Sequence, residues 1–280
     1  MEKFKVAIIG TGPSAAFSYL ACKDYGCSKI DIYGKYHKDF PQGAFWFKWL
    51  PSYIIKDTKV KKCEISIIYM GTNREYVQKQ WGEEESVDNY SSTFSNFDKL
   101  QYGYDPLVVW DRMWSGANFI ETKGMFTDID LKQLSVDYDF IFHTFPSEAS
   151  LQIRKTISIP TVSFHIYSQP LYHVLRMMNP KFNLGEQIIY DGRIETPIVR
   201  ISSLFGHINI EFVKDTDTTK LFPDGVTYGK FMDIPPNTEE LVDEDRLDLK
   251  VYPVGRYAQW ERHLLSHNSY RRVMGIFTRA

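Results

Sequence analysis

Gly10, Thr11, Gly12, Pro13, Ser14 and Ala15 stand between an apolar run, Val6 to Ile9, and a segment that reads as a helix from Pro13 onward. Small residues at this spacing handle phosphate. Gly10 permits a tight turn, and Gly12 has no side chain to keep a pyrophosphate from the backbone. Ala15 stands where the strict pattern has a third glycine and still allows a helix to lie close on a strand. Pro13 lacks an N–H but suits the first helical turn. Such a helix start aims free N–H groups and a positive dipole end at an anion. A second strand-like run, Lys29 to Gly34, follows one helix later and completes a β-α-β unit. A strand-turn-helix that binds nothing is the plainer alternative; the flanks and spacing favour a dinucleotide.

Rossmann units usually end their second strand in Asp or Glu, which accepts hydrogen bonds from the adenosine ribose. Gly34 occupies that place, and Asp31 lies inside the strand on the wrong alternation for such a contact. Two readings stay open. The ribose is held differently, or a 2′-phosphate lies near Lys35 and Lys38, as in proteins that take NADPH. Each lysine also fits a purely solvated role.

Farther along, Gly43 and Ala44 precede an aromatic run in which Phe45, Phe47 and Trp49 alternate like a strand or plug a core. Ile65 to Tyr69 reads as a strand. Tyr76, Lys79, Trp81 and Gly82 either reach a ligand or pack, and the acidic run Glu83 to Glu85 reads as a solvated face. Asp137 to Pro146 reads as a buried strand that carries His143 as a core histidine and ends near Thr144. The stretches 160–171 and 195–213 alternate as antiparallel strands do, and place Arg200, Ser202 and His207 near a turn at Gly206. Arg200 suits a bidentate grip on phosphate or carboxylate, or a surface ion pair. The stretch 223–248 reads as loop and acidic helix. A last strand, Leu249 to Val254, runs into Gly255, Arg256 and Tyr257 and then a helix, a second strand-glycine-helix turn.

These residues need a scaffold. A chain of 280 residues with 43% apolar content, rich in Tyr and Phe, supports one large domain or two modest ones. A formal net charge of −2 argues against wholesale nucleic-acid binding and against a polybasic membrane surface. No apolar run has bilayer length, and the three cysteines have no zinc-type spacing, so a reduced, cytoplasmic protein acting on a small molecule is expected. No metal set, Ser-His-Asp constellation or Walker loop can be assembled, and no catalytic residue can be named.

In order along the chain, "GTGPSAA", "PQGA", "FIFHTFP", "TPIVRISSLFGH" and "VGRYAQWERHLLSH" resemble flavoproteins of the amine oxidase and UDP-galactopyranose mutase type. The likeness is stronger to small FAD/NAD(P)-binding oxidoreductase-like proteins of bacteriophage genomes. Those share a Gly-Ala-aromatic loop, a Tyr-x-x-Lys-x-Tyr/Trp-Gly segment and a C-terminal Gly-Arg-Tyr-x-x-Trp. The resemblance implies that Gly10, Gly12 and Ala15 cradle a pyrophosphate. It places Gly43, Ala44, Gly255, Arg256 and Tyr257 along the flavin, Thr144 on the strand closing the dinucleotide domain, and Arg200 with His207 on the substrate side. The implied activity is FAD-dependent oxidation or reduction of a small amine, an amino-acid adduct or a nucleotide, including phage nucleotide or DNA-base modification. An NADPH-binding reductase without flavin and a non-catalytic nucleotide-binding protein are the alternatives. The expected fold is α/β, a Rossmann-like FAD/NAD(P)-binding domain from 1–60, 115–148 and 246–280. A smaller, mainly antiparallel β cap from 61–114 and 149–245 completes it.

Overall fold

The computed structural model describes residues 4–36, 38, 46–56, 60, 62–81, 100–122, 128–144, 156–164, 169–183, 185–213, 216–222, 226–233, 250–259 and 265–280. The chain divides into two compact units: Met1–Val60, Pro106–Lys155 and Pro235–Ala280 form the first, Lys61–Asp105 and Thr156–Ile234 the second.

The first unit is built on β1 (Lys5–Ile9), whose Val6, Ala7, Ile8 and Ile9 are all buried, as a central parallel strand covered on both faces requires. β2 (Lys29–Tyr33) and a strand at Phe140–His143 flank it in parallel. Asn118–Ile120 extends the β2 edge, and Val251–Pro253 lies beyond Phe140–His143. In chain order these are β5, β6 and β12, and the five-stranded parallel sheet runs β12-β6-β1-β2-β5. α1 (Pro13–Tyr25) starts with Pro at its first turn and stops at Gly26, whose φ of 84° is the left-handed conformation that glycine adopts most readily. Its residues Ala15 to Cys22 are buried without a break, so α1 is covered all round rather than on one stripe. The C-terminal helix Asn268–Phe277 packs along it, with Tyr25 stacked on Phe277 at 4.5 Å. Phe47 and Trp49 pack on Phe17 of α1, at 5.2 and 6.2 Å between ring centres, so that segment is a core plug. Phe45 lies outside the described residues.

Asp31 is buried in β2 and has a structural role. Lys29 pairs with it at 2.8 Å, Asn118 donates to it at 2.7 Å, and the Tyr138 hydroxyl donates as well. Burial pushes its carboxyl up, and these three donors outweigh that and hold it below the usual carboxylate range. His143 is buried in β6, as the sequence led us to expect.

The second unit holds β3 (Cys63–Met70), β4 (Leu100–Gly103), β7 (Thr156–Phe164), β8 (Gln187–Asp191), β9 (Ile198–Leu204), β10 (His207–Phe212) and β11 (Val226–Asp233). They form one sheet ordered β11-β7-β10-β9-β8-β3-β4, antiparallel except where β3 and β8 run parallel. One face of it is apolar. Ile189, Ile201, Ile208, Ile210 and Phe212 pack there with Leu171 and Leu175 of the helix Gln169–Met178. Two sequence readings are corrected here. The segment 226–233, read as loop, is a strand paired with β7 along its whole length. The segment from Gln169 on, read as a continuing strand, is helical, because Leu171 and Leu175 at a four-residue spacing share the buried side. β9 and β10 join through Phe205 and Gly206, both with positive φ (54° and 81°), the pairing that matches strand twist in a two-residue hairpin. Glu186 accepts the Phe205 N–H at 2.7 Å and holds this non-glycine residue in place.

Among the described residues no helix is long and apolar enough to cross a membrane, and no group of His, Cys, Asp and Glu is placed to hold a metal.

Candidate functional site

At the C-terminal ends of β1, β2 and β6 the backbone is drawn together around Gly10. Its N–H donates to the Tyr33 carbonyl at 2.9 Å, and Thr144 donates to the Ile9 carbonyl through both its N–H (3.0 Å) and its hydroxyl (3.1 Å). Gly10 has φ of 114°, and a Cβ there would stand 2.2 Å from the Thr144 hydroxyl oxygen. The position therefore excludes any other residue on two counts.

Gly34 is explained in the same way. Its φ is 146°, a Cβ would lie 2.9 Å from the Thr11 methyl carbon, and its N–H donates to the Ile120 carbonyl at 2.9 Å. Thr11 fills the space that a side chain at position 34 would need. The missing ribose carboxylate is thus a consequence of how the loop after β1 packs. Lys35 and Lys38 follow, both exposed.

Gly12 differs from both. It caps α1 in an extended conformation (φ −80°, ψ −177°), no side chain caps the helix, and no acid lies in its first turn. Among the described residues, a Cβ at Gly12 would meet nothing within 4 Å. The start of α1 is therefore a helix N-terminus with open space over its capping residue, and Ala15, fully buried, seats the helix on the sheet. Such a site favours an anion that brings its own acceptor oxygens.

The second strand-glycine-helix turn meets the first. A Cβ on Gly255 (φ 91°) would lie 2.2 Å from the Ser14 hydroxyl oxygen and 3.2 Å from that of Ser269. Helical residues Arg256–Gln259 follow Gly255, and the Gly255 N–H is taken by the Gln259 side chain at 3.2 Å. The turn closes against Ser14 of α1. The Ser269 hydroxyl, buried beside it, has no hydrogen-bond partner among the described residues. The side chains of Arg256 and Tyr257 lie outside the described residues, as do Gly43 and Ala44.

In the second unit, Arg200 and Glu211 are register partners on β9 and β10 and form a buried ion pair. The guanidinium also lies 5.6 Å from the Tyr190 ring centre. Burial works against its charge, but Glu211, Tyr190 and Tyr76 together hold the proton more tightly than in water. The sequence left Arg200 between an anion grip and a surface ion pair; the pair exists and is buried. By strand alternation Tyr190, Arg200, Ser202, Asn209 and Glu211 share the face opposite the apolar one. His207 begins β10 on that face, half-buried. Tyr76 is fully buried in the helix Asn73–Trp81, and Lys79 of the same helix donates to the Asp191 and Arg193 carbonyls at 3.0 and 2.6 Å. Burial lowers the Lys79 ammonium to about 8. Both are packing residues.

The first unit thus brings together Gly10, Thr11, Gly34 and Thr144, and Ser14 with Gly255. Arg200 and His207 share a face in the second. The sequence did not indicate Glu211, Tyr190 or Ser269. Alternation along β9 and β10 was the available signal for Glu211, and no local signal marks Ser269.

No family model matches the chain, and no curated protein matches it in sequence. Solved structures match its fold. A reduced UDP-galactopyranose mutase aligns with a TM-score of 0.57 at 10% identity, over 100% of this chain and 95% of that one. A flavin-dependent halogenase from Xanthomonas campestris aligns at 0.50 and 11% identity, over 99% of this chain and 71% of that one. Aklavinone-11 hydroxylase, in a ternary complex with FAD and aklavinone, aligns at 0.50 and 9% identity, over 99% of this chain and 62% of that one. Identities this low speak for architecture alone. The chain has the α/β architecture of these structures, a parallel Rossmann-like sheet with a second, mainly antiparallel sheet.

Proposed function

We propose that the chain is an FAD-dependent oxidoreductase acting on a small molecule in the cytoplasm. The observation that carries this reading is the uncapped start of α1, with open space over Gly12, at the ends of parallel strands in a fold shared with flavin enzymes. The residues present fit the group. Gly12 gives a pyrophosphate access to the backbone, the N–H groups and dipole of α1 balance its charge, and Thr144 with Gly10 keeps the strand ends closed beneath it. Bound there, FAD would supply hydride or electron-pair transfer, and the protein would supply position and electrostatics. On the substrate side the reading places His207, together with Arg200, whose charge Glu211 already shares. Small amines, amino-acid adducts and nucleotides are the proposed substrates. Likeness to phage-encoded proteins puts nucleotide and DNA-base modification first among them.

The test is the visible absorption spectrum of the freshly purified protein, with chromatography of its acid-released ligand. A yellow protein that releases FAD is expected. A colourless protein whose unfolding temperature does not move with added FAD overturns the reading.

A second reading, NADPH in the same loop, is favoured by the exposed Lys35 and Lys38 and by the glycine at position 34. It predicts that Lys35→Glu weakens NADPH by on the order of tenfold while leaving NADH nearly unchanged, since a single charge contact near a surface contributes about 1–1.5 kcal/mol. Equal losses in a titration of both cofactors count against it.

A further inference from the structure

We propose that Cys22 and Cys27 form a dithiol site that a peroxide converts to an intramolecular disulfide at the C-terminal end of α1. Two observations place the two side chains together. Gly26 closes the helix in the left-handed conformation, its N–H turning back to the Cys22 and Lys23 carbonyls. The Cys27 N–H donates to the Cys22 carbonyl at 3.1 Å. This is the six-to-one closure in which the residues at its two ends bring their side chains into contact. Bond formation then needs side-chain rotation and little backbone movement, because the closure already holds the two residues side by side.

The two sulfurs differ in a way that assigns their roles. Cys22 is fully buried, and burial pushes its thiol up. Cys27 is half-buried, and the hydrogen bond from Cys22 lowers its thiol; partial burial, nearby Asp139 and the carbonyl end of α1 oppose that. Cys27 is therefore the nucleophile and Cys22 the resolving thiol. The Cys27 thiolate attacks one peroxide oxygen, the O–O bond breaks, and the other oxygen leaves as hydroxide or alkoxide. The resulting sulfenic acid is attacked by Cys22, which gives up its proton. The S–S bond forms as the S–O bond breaks, and the oxygen leaves as water. Two thiols are oxidised and one peroxide is reduced. Cys63 stands on β3, in the second unit.

The experiment treats the whole chain with hydrogen peroxide, alkylates it under denaturing conditions and maps the peptides by mass. The expected result is a Cys22–Cys27 linkage lighter by two hydrogens, reversed by a dithiol reductant, with Cys63 alkylated. In Cys22→Ala the Cys27 sulfenic acid persists and a dimedone probe captures it. Cys27→Ser leaves Cys22 alkylatable and serves if Cys22→Ala fails to fold. Full alkylation of wild-type Cys22 and Cys27 after peroxide overturns the proposal. So does dimedone capture of Cys27 in wild type at the level seen in Cys22→Ala. Neither readout depends on a bound cofactor.

Discussion

Replacing Gly12 with Asp is expected to stabilise the ligand-free protein and to end dinucleotide binding. The two effects have opposite signs because one carboxylate acts on both. Gly12 already has the extended backbone of a helix cap, with φ −80°, and leaves α1 without a side-chain cap or a first-turn acid. An Asp there accepts one of the orphan N–H groups and complements the helix dipole, a gain of about 0.5–1 kcal/mol. With no described residue within 4 Å of a Cβ, no clash offsets that gain. The same carboxylate occupies the space proposed for the pyrophosphate. Like charges about 4 Å apart near a protein surface repel by about 4 kcal/mol, which is a loss of affinity on the order of several hundredfold. Thermal unfolding with and without FAD, and with ADP as a fragment, reads both effects. Gly12→Ala separates sterics from charge, because a methyl fits the free protein. Wild-type affinity in Gly12→Asp would move the phosphates away from this helix start.

Glu211→Ala is expected to cost about 3–5 kcal/mol of stability, since it strands the Arg200 guanidinium in a buried position. The Glu211 side chain is 1% exposed and that of Arg200 is 15% exposed, so water cannot replace the lost carboxylate. Arg200 keeps its proton at any working pH, which removes neutralisation as an escape. The double variant Arg200→Met, Glu211→Leu should recover most of the loss, because an apolar pair of similar volume is often neutral or better than a buried ion pair. Urea unfolding of both single variants and the double variant closes a thermodynamic cycle. A Glu211→Ala protein within 1 kcal/mol of wild type, on the scale of exposed pairs, would mean that water reaches the guanidinium in solution.

The β-α-β opening could be read directly because its signals are local. Gly10, Gly12 and Pro13 act on their own backbone, and the apolar run Val6 to Ile9 marks a strand covered on both faces. The hairpin around Phe205 and Gly206 was readable by alternation. The strand at 226–233 was not, because Gly229 and the flanking Pro-Asp-Gly sequence have loop character, and pairing with β7 overrides it. The helix from Gln169 was masked by a stretch that alternates before it.

The amino-acid sequence by itself determined where a phosphate-type loop stands and which short segments extend or coil, since those follow from backbone freedom and from periodicities of two and 3.6 residues. Tertiary structure alone decided which distant residues complete each other. Thr144 stands over Gly10, Thr11 over Gly34, Ser14 over Gly255, and Glu211 against Arg200. Only chain closure brings Thr144 to Gly10, or Ser14 to Gly255. A glycine at position 34 reads as a missing acid in the sequence and as an occupied space in the fold. The difference is steric, a threonine methyl seated where a Cβ would be.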